Sequence, residues 1–159
     1  MSSFLLLPLQ AILSHIVRGV AGRQPSLFER LGRHCASTYI IDPVNLPIVL
    51  RLQPDAKAPS LRAQWRRDGA KGDCRIAGTF LTLLALVDGR RDGDALFFSR
   101  DLTVEGDIDA VVTLRNALDD LDVTLVQDIL GSAGPLRKPL EAALQLFRSM
   151  DRQEGRHAG

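Results

Sequence analysis

Aromatic residues are scarce in this chain: eight in 159 residues, against 26 leucines. An interior built from so much leucine is aliphatic and adaptable, which suits an ordinary helical core and equally the lining for a lipid tail. Cysteine is scarcer still. Cys35 and Cys74 are too few and too far apart for a disulfide framework or a thiolate metal site, and they fit a reducing cytoplasm. His15, His34 and His157 have no second ligand at helical spacing, so no metal centre is expected. His34 and Cys35 are neighbours, yet adjacent residues on a helix point about 100° apart, which argues against thiol catalysis. Charge of one sign is missing too. Twenty basic against nineteen acidic residues leave a net charge of +1, so nothing draws in nucleic acid and any electrostatic role is local.

A long unbroken hydrophobic run is also lacking. Phe4-Leu5-Leu6-Leu7-Pro8-Leu9 is apolar, but no basic residue precedes it, and Pro8, Gln10, Ser14 and His15 interrupt it well short of about 18 residues. Neither a secretory signal nor a membrane span is expected. Residues 1–24 read instead as an amphipathic helix, and two readings stay open for it. It covers the domain's own core, or it rests on a membrane with Phe4, Leu5, Leu9, Ile12 and Ile16 as its apolar side and Arg18 and Arg23 at headgroup level.

What is present is organised as one domain, expected over residues 25–152, with 153–159 as a disordered tail. Ser26 is placed to cap a short helix carrying Leu27, Phe28 and Leu31. Tyr39–Asp42 reads as a strand stopped by Pro43, and 46–53 as a second strand with unequal faces. Leu61, Ala63 and Trp65 alternate with Arg62, Gln64 and Arg66, the clearest period of two in the chain. Residues 67–73 hold two glycines among charges, which reads as a hairpin turn into a strand with Cys74 and Ile76. From Thr79 the period changes: Phe80, Leu83, Leu84 and Val87 lie at i, i+3, i+4 and i+7 on a helix capped by Thr79.

After a polar loop over 90–94 comes Phe97-Phe98-Ser99-Arg100-Asp101-Leu102-Thr103-Val104-Glu105-Gly106-Asp107. Leu102 and Val104 face one way and Thr103 and Glu105 the other, as in a half-buried strand; Gly106 turns the chain and Asp107 caps the next helix. That helix, over 108–121, carries the stripe Val111, Leu114, Leu118 and Leu121, continued by Leu125 and Ile129 up to Gly131. A last helix opens at Pro135 or Pro139, with Leu136, Leu140, Leu144, Phe147 and Met150 on its face.

Helices, about five strands interrupted by one helix, then helices again: this order excludes a Rossmann sheet and fits an α+β domain with helices gathered over one face. Tyr39-Ile40-Ile41-Asp42-Pro43, Leu46-Pro47-Ile48-Val49-Leu50 and the segment 97–107 resemble the sterol carrier protein 2 superfamily. Within it, the run 96–122 is most similar to the UbiT type, a lipid-binding accessory factor of oxygen-independent ubiquinone synthesis. The resemblance implies a hydrophobic tunnel between sheet and helices. Its expected lining is Phe80, Leu83, Leu84, Phe97, Phe98, Leu114, Leu118, Leu121, Leu125 and Ile129, any of which ordinary core packing would also explain.

The resemblance further implies a non-catalytic protein without a cofactor, which binds polyprenylated ubiquinone precursors or phospholipid. Iron-sulfur partners of the UbiU and UbiV type would carry out the hydroxylation. The expected location is cytoplasmic, peripheral to the inner membrane. A general module for sterol, acyl-chain or phospholipid transfer is the alternative, because one fold hosts many ligands. No enzyme signature competes: Glu105 and Asp107 sit two apart across a turn, and no serine or cysteine has a base in view. Arg62, Arg66, Arg67, Lys71 and Arg75 form a basic set that reads as a solvated face, or as a contact for an anionic lipid surface or an acidic protein.

Overall fold

Alternation of apolar and polar residues builds five short strands, β1 (Tyr39–Pro43), β2 (Ile48–Gln53), β3 (Ser60–Trp65), β4 (Cys74–Gly78) and β5 (Thr103–Gly106), joined in one sheet of order β3-β2-β1-β4-β5. The computed structural model describes residues 3–55, 57–88, 101–121 and 123–131, with the single positions Lys138 and Gln145 beyond them. The last expected helix and the expected tail fall outside these residues, as do Phe97 and Phe98. Five helices are described: α1 (Leu7–Arg23), α2 (Pro25–Leu31), α3 (Phe80–Asp88), α4 (Ile108–Leu118) and α5 (Val123–Gly131).

The pairs β1–β2, β2–β3 and β4–β5 are antiparallel, while β1 and β4 run parallel. Register and pleat together sort the side chains. Tyr39 is paired with Leu52 and Cys74, Leu50 with Ala63, and Ile76 with Val104, so these residues share one face, the one the helices cover. Ile40, Asp42, Arg51, Arg62, Arg75 and Glu105 take the other.

The link from β3 to β4 corrects the expected hairpin. The strand after the two glycines lies beside β1, with two strands, β2 and β1, between it and β3. The link starts as a 3-10 turn over Arg66–Asp68, reverses at Gly69 with φ +70°, and crosses the sheet on the face away from the helices. Gly72 is what brings it close: a Cβ there would stand 2.8 Å from the Thr38 carbonyl oxygen and 2.9 Å from the Ile40 side chain. Turn chemistry marks where a chain bends, not which strand it will pair with next.

Capping explains where two of the helices begin. The Ala110 amide donates to Asp107 Oδ1 at 3.1 Å, and the Thr82 amide to Thr79 Oγ1 at 3.2 Å, as the sequence predicts for α4 and α3. Ser26 does not cap α2. Pro25 occupies the first helical position, where its missing amide costs nothing, and no side chain caps that end.

The amino-terminal helix is part of the same core. A 3-10 turn over Ser3–Leu6 leads into α1, and Phe4–Arg23 has the length and apolarity of a membrane-crossing helix, with a mean hydropathy of 1.6. Pro8 and Gln10 therefore do not shorten it as expected, because proline is tolerated in a first helical turn. Leu9, Ile12, Leu13, Val17 and Val20 are buried. Leu6, Leu9 and Leu13 meet Leu46, Ile48 and Ala63 in one cluster, while Val20 joins a larger one with α2, α4, α5 and the centre of the sheet. Gln10 fastens the helix to the sheet edge: its amide group donates to the Ala63 carbonyl at 2.7 Å and accepts from the Ala63 amide at 2.9 Å.

Candidate lipid-binding site

The helix stripes converge. Ala110, Val111, Leu114 and Ala117 of α4 are buried on one side of that helix, and Ile129 of α5 is buried with them. Tyr39, Cys74 and Ile76 form the floor, and Leu102 closes the side where the chain enters β5. Packed against this centre, and only half-buried, are Leu83 and Leu86 of α3, Leu118 and Leu121 at the end of α4, Leu125 of α5 and Val104 of β5. The result is an aliphatic seam between the sheet and three helices whose outer leucines keep part of their surface uncovered.

Of the ten expected lining residues, six meet in this seam: Leu83, Leu114, Leu118, Leu121, Leu125 and Ile129. The side chain of Leu84 lies outside the described residues, and so do Phe97 and Phe98. Phe80 is a correction. It is 40% exposed, and Leu81 beside it 73%, and neither belongs to the cluster that forms the seam. The Phe80 amide is instead held by Asn45 Oδ1 at 2.8 Å. Leu86 lies outside the stripe Phe80, Leu83, Leu84 and Val87 read from the sequence, yet it packs against the same cluster. A helix apolar nearly all round offers more than one stripe, and the neighbouring elements decide which is used.

The expected membrane face of α1 is corrected as well. Leu9 and Ile12 are buried and Ile16 packs against the main cluster, so these three serve the interior. The apolar side chains left at the surface are earlier in the chain: Phe4, 83% exposed, with Leu5 and Leu7. A helix with apolar residues on several sides buries the side that the sheet can reach.

Concavities elsewhere also border described residues. A cleft of about 350 Å³ lies beside α2, lined by Ala21, Phe28, Gly32, Cys35 and Pro59 among others. Cys35 Sγ donates there to the carbonyls of Pro54 and Phe28, at 2.9 and 3.3 Å. A more polar groove of about 480 Å³ runs along the β3 edge, between Leu6, Gln10 and Trp65 on one side and Arg51, Arg62 and Lys71 on the other.

Electrostatics within the seam favour neutral, inert groups. Tyr39 is fully buried, its hydroxyl 3.2 Å from the His34 carbonyl and 3.3 Å from that of Ala110; burial raises its pKa well above the ordinary phenol value. Burial, with the nearby Asp107 and Asp73 carboxylates, pushes the Cys74 thiol up to about 11. At the rim, His34 Nε2 lies 2.8 Å from Asp109 Oδ2, and Arg33 donates to the same oxygen at 3.0 Å. These two contacts, that of His34 first, hold the Asp109 carboxyl below its ordinary value. Nothing in this set activates a nucleophile; what the arrangement offers is apolar surface.

A small sheet covered on one face by helices, with a leucine seam between the layers, is the architecture of a lipid-carrier domain. Residues 20–119 match the model of the SCP-2 sterol transfer family, and the chain belongs to that family. Among solved structures it is similar to a UbiJ-SCP2 ubiquinone synthesis protein, at 21% identity and a TM-score of 0.53, over 75% of this chain and 93% of that one. It is similar also to a conserved hypothetical protein from Thermus thermophilus, with 17% identity, a TM-score of 0.54 and coverage of 76% and 87%. A crystal structure of sterol carrier protein 2 gives 15%, 0.52, and coverage of 77% and 96%. Comparison with curated protein sequences gives no match. The α+β fold and the superfamily expected from the sequence therefore hold.

Proposed function

We propose that this protein is a non-catalytic carrier that binds polyprenylated ubiquinone precursors for oxygen-independent ubiquinone synthesis. The observation that carries the reading is the seam itself, in which Leu83 of α3, Leu118 at the end of α4, Leu121 just beyond it and Leu125 of α5 pack half-buried against one buried cluster. A prenyl tail gains about 0.8 kcal/mol for each methylene-sized group removed from water, so a tail of several isoprene units binds such a surface without a polar anchor. Membership of a sterol transfer family and similarity of fold to a ubiquinone synthesis protein support the same direction.

On this reading the chain presents its cargo, and iron-sulfur partners of the UbiU and UbiV type perform the hydroxylation. The protein works in the cytoplasm against the inner membrane, touching it through Phe4, Leu5 and Leu7, the exposed apolar residues of its amino terminus. Lipid extraction of the purified protein followed by mass spectrometry tests the reading. Co-purified prenylphenols or quinones are expected. Phospholipid alone would replace the quinone assignment with a general lipid-transfer module.

A further inference from the structure

The sheet face turned away from the helices treats its cations in two ways. Toward β4 and β5 they are neutralised: Asp42, buried, accepts from both Arg66 and Arg75, and Arg75 also meets Glu105 at 3.3 Å. Toward β2 and β3 that pairing stops. Arg51 and Arg62 stand directly opposite each other across the antiparallel pair, and among the described residues neither side chain makes a hydrogen bond or ion pair. Like charges facing each other across two strands are destabilising. Arg51 Nε is moreover closed off from solvent with no acceptor, a state that folded proteins rarely leave unanswered.

These residues line the groove of about 480 Å³ along the β3 edge, where Lys71 from the β3–β4 link adds a third cation and Asp68 is the one carboxylate. Trp65 forms part of the apolar wall, with the Arg67 guanidinium 5.4 Å from the centre of its ring. We infer that this groove is a binding site for a phosphate group, held between the opposed guanidinium groups of Arg51 and Arg62 with Lys71 closing the third side. A guanidinium offers its donors as a planar fork, and two forks on neighbouring strands match the several acceptor oxygens of a phosphate better than the two of a side-chain carboxylate. The wall of Trp65 and Leu6 gives an attached organic group somewhere to lie. The site wraps the β3 edge, away from the buried centre of the seam on β1 and β4, and does not depend on what the seam holds.

The phosphate has two possible sources, a phospholipid headgroup or a free phosphate or diphosphate, and calorimetry and vesicle binding separate them. The full chain is titrated with inorganic phosphate and pyrophosphate, then tested by flotation with phosphatidylcholine vesicles with or without phosphatidylglycerol. The Arg51→Gln/Arg62→Gln double variant is compared with Arg30→Gln, a change at an exposed position on α2. Affinity for at least one probe is expected to fall about tenfold or more in the double variant, as loss of two charge-assisted forks implies, and to stay unchanged in the control. Loss confined to the soluble anions assigns a free phosphate; loss confined to phosphatidylglycerol vesicles assigns a headgroup. Should the double variant unfold, Lys71→Gln, exposed in the link, is expected to weaken the same probe several-fold. Unchanged binding in the folded variants overturns the site, and so does a wild-type protein that binds neither probe, as it would if the groove served only an acidic protein.

Discussion

Ile129 packs onto bare backbone at Gly19: three of its side-chain carbons lie 2.9 Å from where a Cβ on that glycine would stand. The contact sets how closely α1 and α5 approach, and His15 Nε2 adds a 2.9 Å contact to the Ile129 carbonyl. Gly19→Ala should gain up to about 1 kcal/mol in helix propensity but force an overpacked contact costing about 1 to 3 kcal/mol. A net loss of stability is expected, read as a lower midpoint in urea. An unchanged or raised midpoint would mean that the two helices separate more readily than the packing implies.

Leu118 tests the seam. It is half-buried against the main cluster at the end of α4, so Leu118→Trp should fill the uncovered space and lower the lipid that co-purifies per folded molecule. If Leu118 were ordinary core, the larger ring would instead cost about 1 to 3 kcal/mol of stability and leave the lipid content unchanged. Thermal unfolding and lipid quantification on the same preparation distinguish the two results.

The buried thiol makes a pH prediction. The Cys74 pKa is raised from 9.0 to about 11 in the folded state, so the unfolded chain ionises first as the pH climbs. The contribution of this group to stability is fully present below pH 9.0 and is lost as pH rises from there through about 11. Cys74→Ser is expected to flatten that part of the alkaline limb. Iodoacetamide at pH 8 should leave Cys74 unmodified in the native protein and alkylate it after denaturation, because the reactive species is the thiolate.

The proposed membrane contact falls to Phe4, Leu5 and Leu7 and not to α1 as a whole. Replacing these three by aspartate should abolish co-sedimentation with liposomes while changing the unfolding free energy by no more than about 0.5 kcal/mol per substitution, as exposed positions predict. Retained binding would move the contact elsewhere on the surface.

Much of this fold can be read from periodicity. The alternation at Leu61–Trp65, the period of 3.6 from Thr79 and the Asp107 cap all reappear as β3, α3 and the start of α4. Local patterns of this kind encode which face of an element is apolar. They do not encode what lies against that face. For that reason Leu9 and Ile12 looked free for a membrane, Phe80 looked like lining, and the glycines of the β3–β4 link looked like a hairpin, although each outcome was decided by an element distant in sequence. The Arg51–Arg62 opposition has the same origin, since it exists only once the register of β2 against β3 is known.

Gln10 ties these themes together. An edge strand with open amides and carbonyls invites another chain to extend the sheet, and at the middle of β3 one glutamine side chain occupies both groups of Ala63. Lifting the whole of α1 onto a bilayer would strip away that seal and leave a β-edge open to aggregation beside a crowded membrane. The proposed contact through Phe4, Leu5 and Leu7 avoids the exposure, because these exposed side chains precede Gln10 while Leu6 between them stays in the core. The protein can then touch lipid repeatedly without ever offering its neighbours a strand to join.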